Sequence, residues 1–214
     1  MTRILASTLT ALTASLALLM SGCASLAPTS APPPPQPQPP SPPIVAVDAW
    51  GGQSLAVPAP ELTHRIRRIT VHHQGEVWPA AQRPDDTPTA YLQRLQSWSR
   101  LSKRWTDIPY HYVIAPDGRI YATRDPAARG DTNTEYDPSG HALVMLMGNF
   151  EVQEPTAAQL GAATELLVWL ARQHGLTADA IASHRDFSQQ TVCPGRALYA
   201  QLPALREAVR KRLH

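Results

Sequence analysis

The chain has 214 residues, 22 prolines, two cysteines and a formal net charge of +2. Two cysteines exclude a disulfide-rich scaffold, and charge this close to balance lacks the basic footprint of a nucleic-acid binder. An apolar share of 43% against 17% charged residues supports a packed core and excludes a chain disordered throughout.

Arg3 precedes an apolar, small-residue run from Ile4 to Met20, and Ser21-Gly22-Cys23 follows. That order is the layout of a secretory signal over residues 1–22, ending in small residues at the cleavage point. A cysteine just after the cut resembles the lipobox of bacterial lipoproteins, which implies that Cys23 is acylated and becomes the first residue of the mature chain. Met20 stands three before the cysteine, where that motif usually has Leu. Residues 23–43 form the next segment, and ten of the prolines lie between Pro28 and Pro43. Consecutive prolines lock φ and remove donors, so the segment is expected to be an extended tether of about 3.1 Å per residue.

Residues 44–214 are expected to form one α/β domain, a central mixed β-sheet flanked by helices. Arg65–His73 (RIRRITVHH) is rich in β-branched residues and reads as a strand. Thr87-Pro88 opens a helix, with Thr as N-cap, and Tyr91, Leu92, Leu95, Trp98 and Leu101 share one stripe. Tyr110–Ala115 and Ile120–Ala122 read as strands joined by the turn Pro116-Asp117-Gly118-Arg119. Ala142–Met147 is apolar at every position, as in a strand covered on both faces. Thr156 caps a helix that Gly175 ends, and a last helix follows Pro194-Gly195.

The chemistry lies in three separated pieces: His72-His73, Tyr110, and Ser183–Gly195 (SHRDFSQQTVCPG). With Cys23 acylated, Cys193 is the domain's only thiol, and an exported protein has reason to keep it where a metal holds it. Catalytic zinc sites use three His, Cys or carboxylate ligands and leave a fourth position open. His72, His184 and Cys193 would supply such a set. Successive strand residues face opposite sides, and His72 shares parity with Arg68 and Thr70 while His73 shares it with Ile69 and Val71. The polar parity therefore points His72 to the cleft. The same parity would put Tyr110 and Tyr112 on one face and His111 on the other.

IRRITVHH, DIPYHYVIAPDGRIY, MGNF and SHRDFSQQTVCPGRALY, in that order, resemble the zinc-dependent N-acetylmuramoyl-L-alanine amidases that share a fold with peptidoglycan recognition proteins and amidase-type phage lysozymes. The resemblance runs from about Arg65 to Leu205. It implies a mixed sheet with helices around it, one zinc ion per chain held by His72, His184 and Cys193, and cleavage of the amide between N-acetylmuramic acid and L-alanine. It also implies that Tyr110 sits near the reacting water. Two departures stand out. The interval from His184 to Cys193 is one residue longer than in common animal recognition proteins, with Gln189-Gln190 as the insertion, and Thr191 takes the place of a catalytic lysine in the phage enzymes.

Zinc activates water and polarises a carbonyl, so no strong protein base is required. Tyr110 and Thr191 are then expected to orient the nucleophile or stabilise the developing oxyanion. His73, His141, Arg124 and Arg129 are candidate substrate-binding residues, the arginines because a guanidinium pairs with stem-peptide carboxylates in bidentate fashion. Trp98, Trp105 and Trp169 are expected in the core. The expected partners are peptidoglycan or muropeptides and, through the lipid, a membrane. Nucleic acid is not among them, and nothing argues for more than a monomer. Ala24 after the acylated cysteine favours the periplasmic face of an outer membrane. Two other readings remain: a catalytically inactive wall-binding lipoprotein, and a zinc peptidase acting on muropeptides.

Overall fold

The computed structural model of the chain describes residues 40–54 and 60–213. The expected signal segment, Cys23 and the tether as far as residue 39 lie outside them. Among the described residues, the extended, β-branched segments supply six strands. These are β1 (Ile44–Val45), β2 (Arg68–His73), β3 (Tyr112–Ile114), β4 (Ile120–Ala122), β5 (His141–Leu146) and β6 (Ile181–Ser183). They pair in one sheet in the order β1-β4-β3-β5-β2-β6. The β3/β4 hairpin is antiparallel and every other neighbouring pair is parallel, so the sheet is mixed as expected. Its turn needs a left-handed residue, which Gly118 supplies at φ 85°.

β5 lies between β3 and β2 and is buried along its whole length, which is why its sequence is apolar almost throughout. β2 is shorter than the segment its composition suggests. The Arg67 and Arg68 N–H groups both donate to Gly140 O, so Arg65–Arg67 lead into the ladder rather than joining it.

Three helices cover the sheet: α1 (Pro88–Leu101), α2 (Ala157–His174) and α3 (Arg196–Leu213). Their ends follow local chemistry. Thr87 Oγ1 accepts the Ala90 N–H with Pro88 at the first turn, and Thr156 and Gln159 form a reciprocal capping box. Gly175 closes α2 at φ 62°. One face of the sheet, with Ile69, Val71, Ile114, Val144 and Ile181, packs on Leu166, Leu170, Leu198 and Leu202 of α2 and α3. The opposite face, with Val113, Tyr121 and Met145, packs on Leu92 of α1 and on Trp50, whose indole N–H donates to Ala122 O at 2.7 Å.

Two expectations about side-chain direction fail. The buried line of α1 is Leu92, Gln96 and Ser99, whereas Leu101 is 81% and Trp98 43% exposed. Tyr91, Leu92 and Leu95 of the stripe do pack on the core, and beside them Gln96 bonds to Gln53 and to the buried carboxylate of Asp107. Tyr110 does not share a face with Tyr112. The strand begins only at Tyr112, so Tyr110 turns to the α1 side while Tyr112 packs against Trp169 of α2.

Candidate metal centre and its groove

His72 leaves the C-terminal end of β2 on the α1 side of the sheet, opposite Met145 in the β2/β5 register. That is the side its polar parity indicates. β6 pairs with β2 on the other edge and ends at Ser183, which delivers His184 directly beside His72. Asp186 accepts from both the N–H and the hydroxyl of Ser183, tightening the turn that presents His184. The loop then returns so that the His73 N–H donates to Cys193 Sγ at 3.4 Å and Arg185 N–H to Cys193 O at 2.9 Å. Gln189 and Gln190 in this loop are exposed, and their N–H groups donate to Glu135 and to Ser188 Oγ.

The nitrogen and sulfur donors of His72, His184 and Cys193 all lie within 4.8 Å of one another. His72 Nδ1 is 3.6 Å from Cys193 Sγ. Two ligands at about 2.1 and 2.3 Å on a tetrahedral zinc lie about 3.6 Å apart, so this pair already has the spacing of such a site. Burial, with His184 next, holds the His72 imidazole well below its ordinary value, and burial lowers His184 to about 4. Burial pushes the Cys193 thiol up to about 12, against the opposing His73 N–H. A thiolate in this pocket needs a cation beside it, and neutral imidazoles are the form that ligates. The donor set thus fits zinc.

The cluster lies in an open groove of about 610 Å³. Tyr110, Thr191 and His73 line it beside the three donors, and α1 forms a wall with Tyr91, Arg94 and Trp98. The Tyr110 ring is 5.1 Å from that of His72, and burial raises its hydroxyl well above the ordinary value, so it remains an O–H donor. Thr191 Oγ1 accepts the Cys193 N–H at 3.1 Å and keeps its own proton for donation. His73 Nδ1 accepts the Phe150 N–H at 3.2 Å, which leaves Nε2 to carry its proton.

The other expected substrate-binding residues are placed elsewhere. Arg124 is buried and bonds to Ile108 O, Thr106 and Asp131, so its guanidinium is spent inside the protein. Arg129 is exposed outside the groove, 4.0 Å from Asp137. His141 is buried behind the groove, with Nδ1 bonded to Thr70 Oγ1 at 2.7 Å. Trp169 packs on the core as expected, but Trp98 and Trp105 stand edge-to-face on the groove wall with Lys103 over both rings. Sequence reasoning missed Thr134, whose hydroxyl lies 2.7 Å from His184 Nε2, and Glu135, which holds Ser188. Neither stands in a pattern that marks it.

This sheet and groove define the fold class shared by peptidoglycan recognition proteins and peptidoglycan amidases. The structure of Drosophila peptidoglycan recognition protein SD superposes with a TM-score of 0.61 at 27% identity, over 75% of this chain and 92% of that one. The endolysin N-acetylmuramoyl-L-alanine amidase LysCS from Clostridium intestinale superposes with a TM-score of 0.58 at 25% identity, over 77% and 95%. Peptidoglycan-recognition protein SD of Drosophila simulans is 32% identical over 166 residues, 74% of this chain and 83% of its own. Residues 62–196 match the N-acetylmuramoyl-L-alanine amidase family, and the chain belongs to it.

Proposed function

We propose that the protein is a zinc-dependent N-acetylmuramoyl-L-alanine amidase that hydrolyses the amide between N-acetylmuramic acid and L-alanine in peptidoglycan or its fragments. The observation that carries this reading is the three-donor cluster of His72, His184 and Cys193 in an open groove, since binding alone needs no such site. Zinc bound there would supply Lewis-acid polarisation of the scissile carbonyl and activation of water at neutral pH. Around it, Tyr110 and Thr191 each offer a hydroxyl donor to the oxyanion or to the attacking water. The upward shift of Tyr110 makes it a donor rather than a base. His73, with Nδ1 occupied by Phe150 N–H, offers a neutral N–H to the substrate.

The membrane reading rests on sequence: acylated Cys23 and the proline tether would hold the domain on the periplasmic face of an outer membrane, within reach of the wall. Among the described residues no helix is long and apolar enough to cross a membrane. Cys23→Ser is expected to release the protein from the membrane fraction.

The test of the activity is metal content and product together. Purified protein is expected to hold one zinc per chain and to free intact stem peptides from muropeptides, and a chelator is expected to abolish the release. Tyr110→Phe should lower kcat by about 10²-fold with KM little changed. A change within about twofold removes Tyr110 from the mechanism. The similarity to recognition proteins favours a second reading, wall binding without catalysis. Stoichiometric zinc and tight muropeptide binding without cleavage would establish it, and products cut within the stem would instead establish a peptidase.

A further inference from the structure

The two histidines of the cluster are supported very differently. His72 Nε2 is buried and has no hydrogen-bond partner, so that ring is held by the rigid strand β2 and by packing against Tyr110 and His184. His184 sits at the start of a loop, and three consecutive residues of another loop grip it. Thr134 Oγ1 lies 2.7 Å from His184 Nε2. Glu135 accepts from Ser188 Oγ at 2.7 Å and from Gln189 N–H at 3.3 Å, fastening the backbone that follows His184. The Tyr136 ring lies 4.9 Å from that of His184 and stacks on Phe187 at 6.0 Å.

Thr134 is bonded on two sides. Thr134 N–H donates to Thr132 Oγ1 at 3.1 Å, and the two hydroxyls are 2.9 Å apart. Thr132 Oγ1 is placed to take the Thr134 hydroxyl proton. In that arrangement the Thr134 lone pairs accept from His184 Nε2–H.

We infer that Thr134 is the positioning residue of the metal centre: it holds His184 with the proton on Nε2, so that Nδ1 presents the lone pair to the metal. This rests on the zinc reading above. The segment 132–136 thereby sets the orientation and tautomer of the one histidine ligand that no strand carries. A ligating histidine held this way by its outer nitrogen loses roughly 10- to 100-fold in metal affinity when the partner is removed.

The experiment measures zinc affinity of the full chain by competition with a chromophoric chelator, without reference to turnover. Thr134→Val, which keeps the shape and removes the acceptor, is expected to weaken zinc binding by at least about tenfold, and Thr134→Ser to restore it to within about threefold of wild type. Long-range proton–nitrogen NMR of the zinc-loaded wild type is expected to show His184 protonated at Nε2 and ligated through Nδ1. That readout stands even where the valine variant fails to fold. Equal zinc affinity for wild type and Thr134→Val, or ligation through His184 Nε2, overturns the assignment to Thr134 and leaves the proposed amidase intact. A wild type that binds no zinc overturns both.

Discussion

His111 carries the largest pH effect that can be worked from a single residue outside the metal cluster. Its ring is fully buried, accepting the Leu143 N–H at Nδ1 (2.8 Å) and bonding through Nε2 to Ala128 O (2.9 Å). Both nitrogens are therefore committed in the neutral form, and a second proton would break the bond from Leu143. Burial lowers its value to about 3, with the Ala128 carbonyl opposing and Arg124 and His64 adding to the fall. The folded value lies below the unfolded one, so the unfolded chain takes up the proton first as pH falls. The stabilisation is full above about pH 6.5 and is lost progressively toward pH 3. At pH 5, about 1.5 units below the unfolded value, the loss is about 2 kcal/mol at 1.36 kcal/mol per unit. Urea unfolding of wild type and His111→Gln, with chelator present throughout to keep metal binding out of the comparison, reads this directly. Glutamine retains one donor and one acceptor but does not titrate, and the other buried histidines contribute to both proteins. Between about pH 7.5 and 5 the wild type is expected to lose about 2 kcal/mol more than the variant. Equal losses, within about 0.5 kcal/mol, would refute the assignment of a buried neutral His111.

Two further substitutions separate structural roles from functional ones. Gly195 adopts φ 83°, and a Cβ there would lie 2.4 Å from the Phe150 carbonyl carbon and 2.5 Å from Glu151 N. Gly195→Ala is expected to destabilise by about 3 kcal/mol and, two residues from Cys193, to weaken zinc retention, checked by thermal melts and metal analysis. Arg124→Leu leaves Asp131 and Ile108 O without their partner and should cost about 3 kcal/mol of stability. KM for muropeptides should stay unchanged in that variant at a temperature where it is folded. A raised KM with unchanged stability would return Arg124 to the substrate-binding set.

Where local chemistry acts alone, the sequence determined the outcome. Thr87, Thr156 and Gly175 set helix ends, Gly118 sets the hairpin, and the apolar run Ala142–Met147 marks the inner strand β5, because caps, turns and burial on two faces depend on neighbouring residues. Strand period likewise put His72 on the groove side, and the separated motifs identified the three donors that converge. Period fails where a strand stops short, and Tyr110 lies outside β3 and so escapes the alternation that governs Tyr112. Only the tertiary structure decided that Gln96 pairs with Asp107 in the interior while Trp98 is exposed, that Arg124 is consumed internally, and that Thr134 meets His184 across 50 residues of chain. These depend on which polar group finds a partner once the elements pack, and a buried hydrogen bond between distant residues leaves no periodic trace in the order of the amino acids.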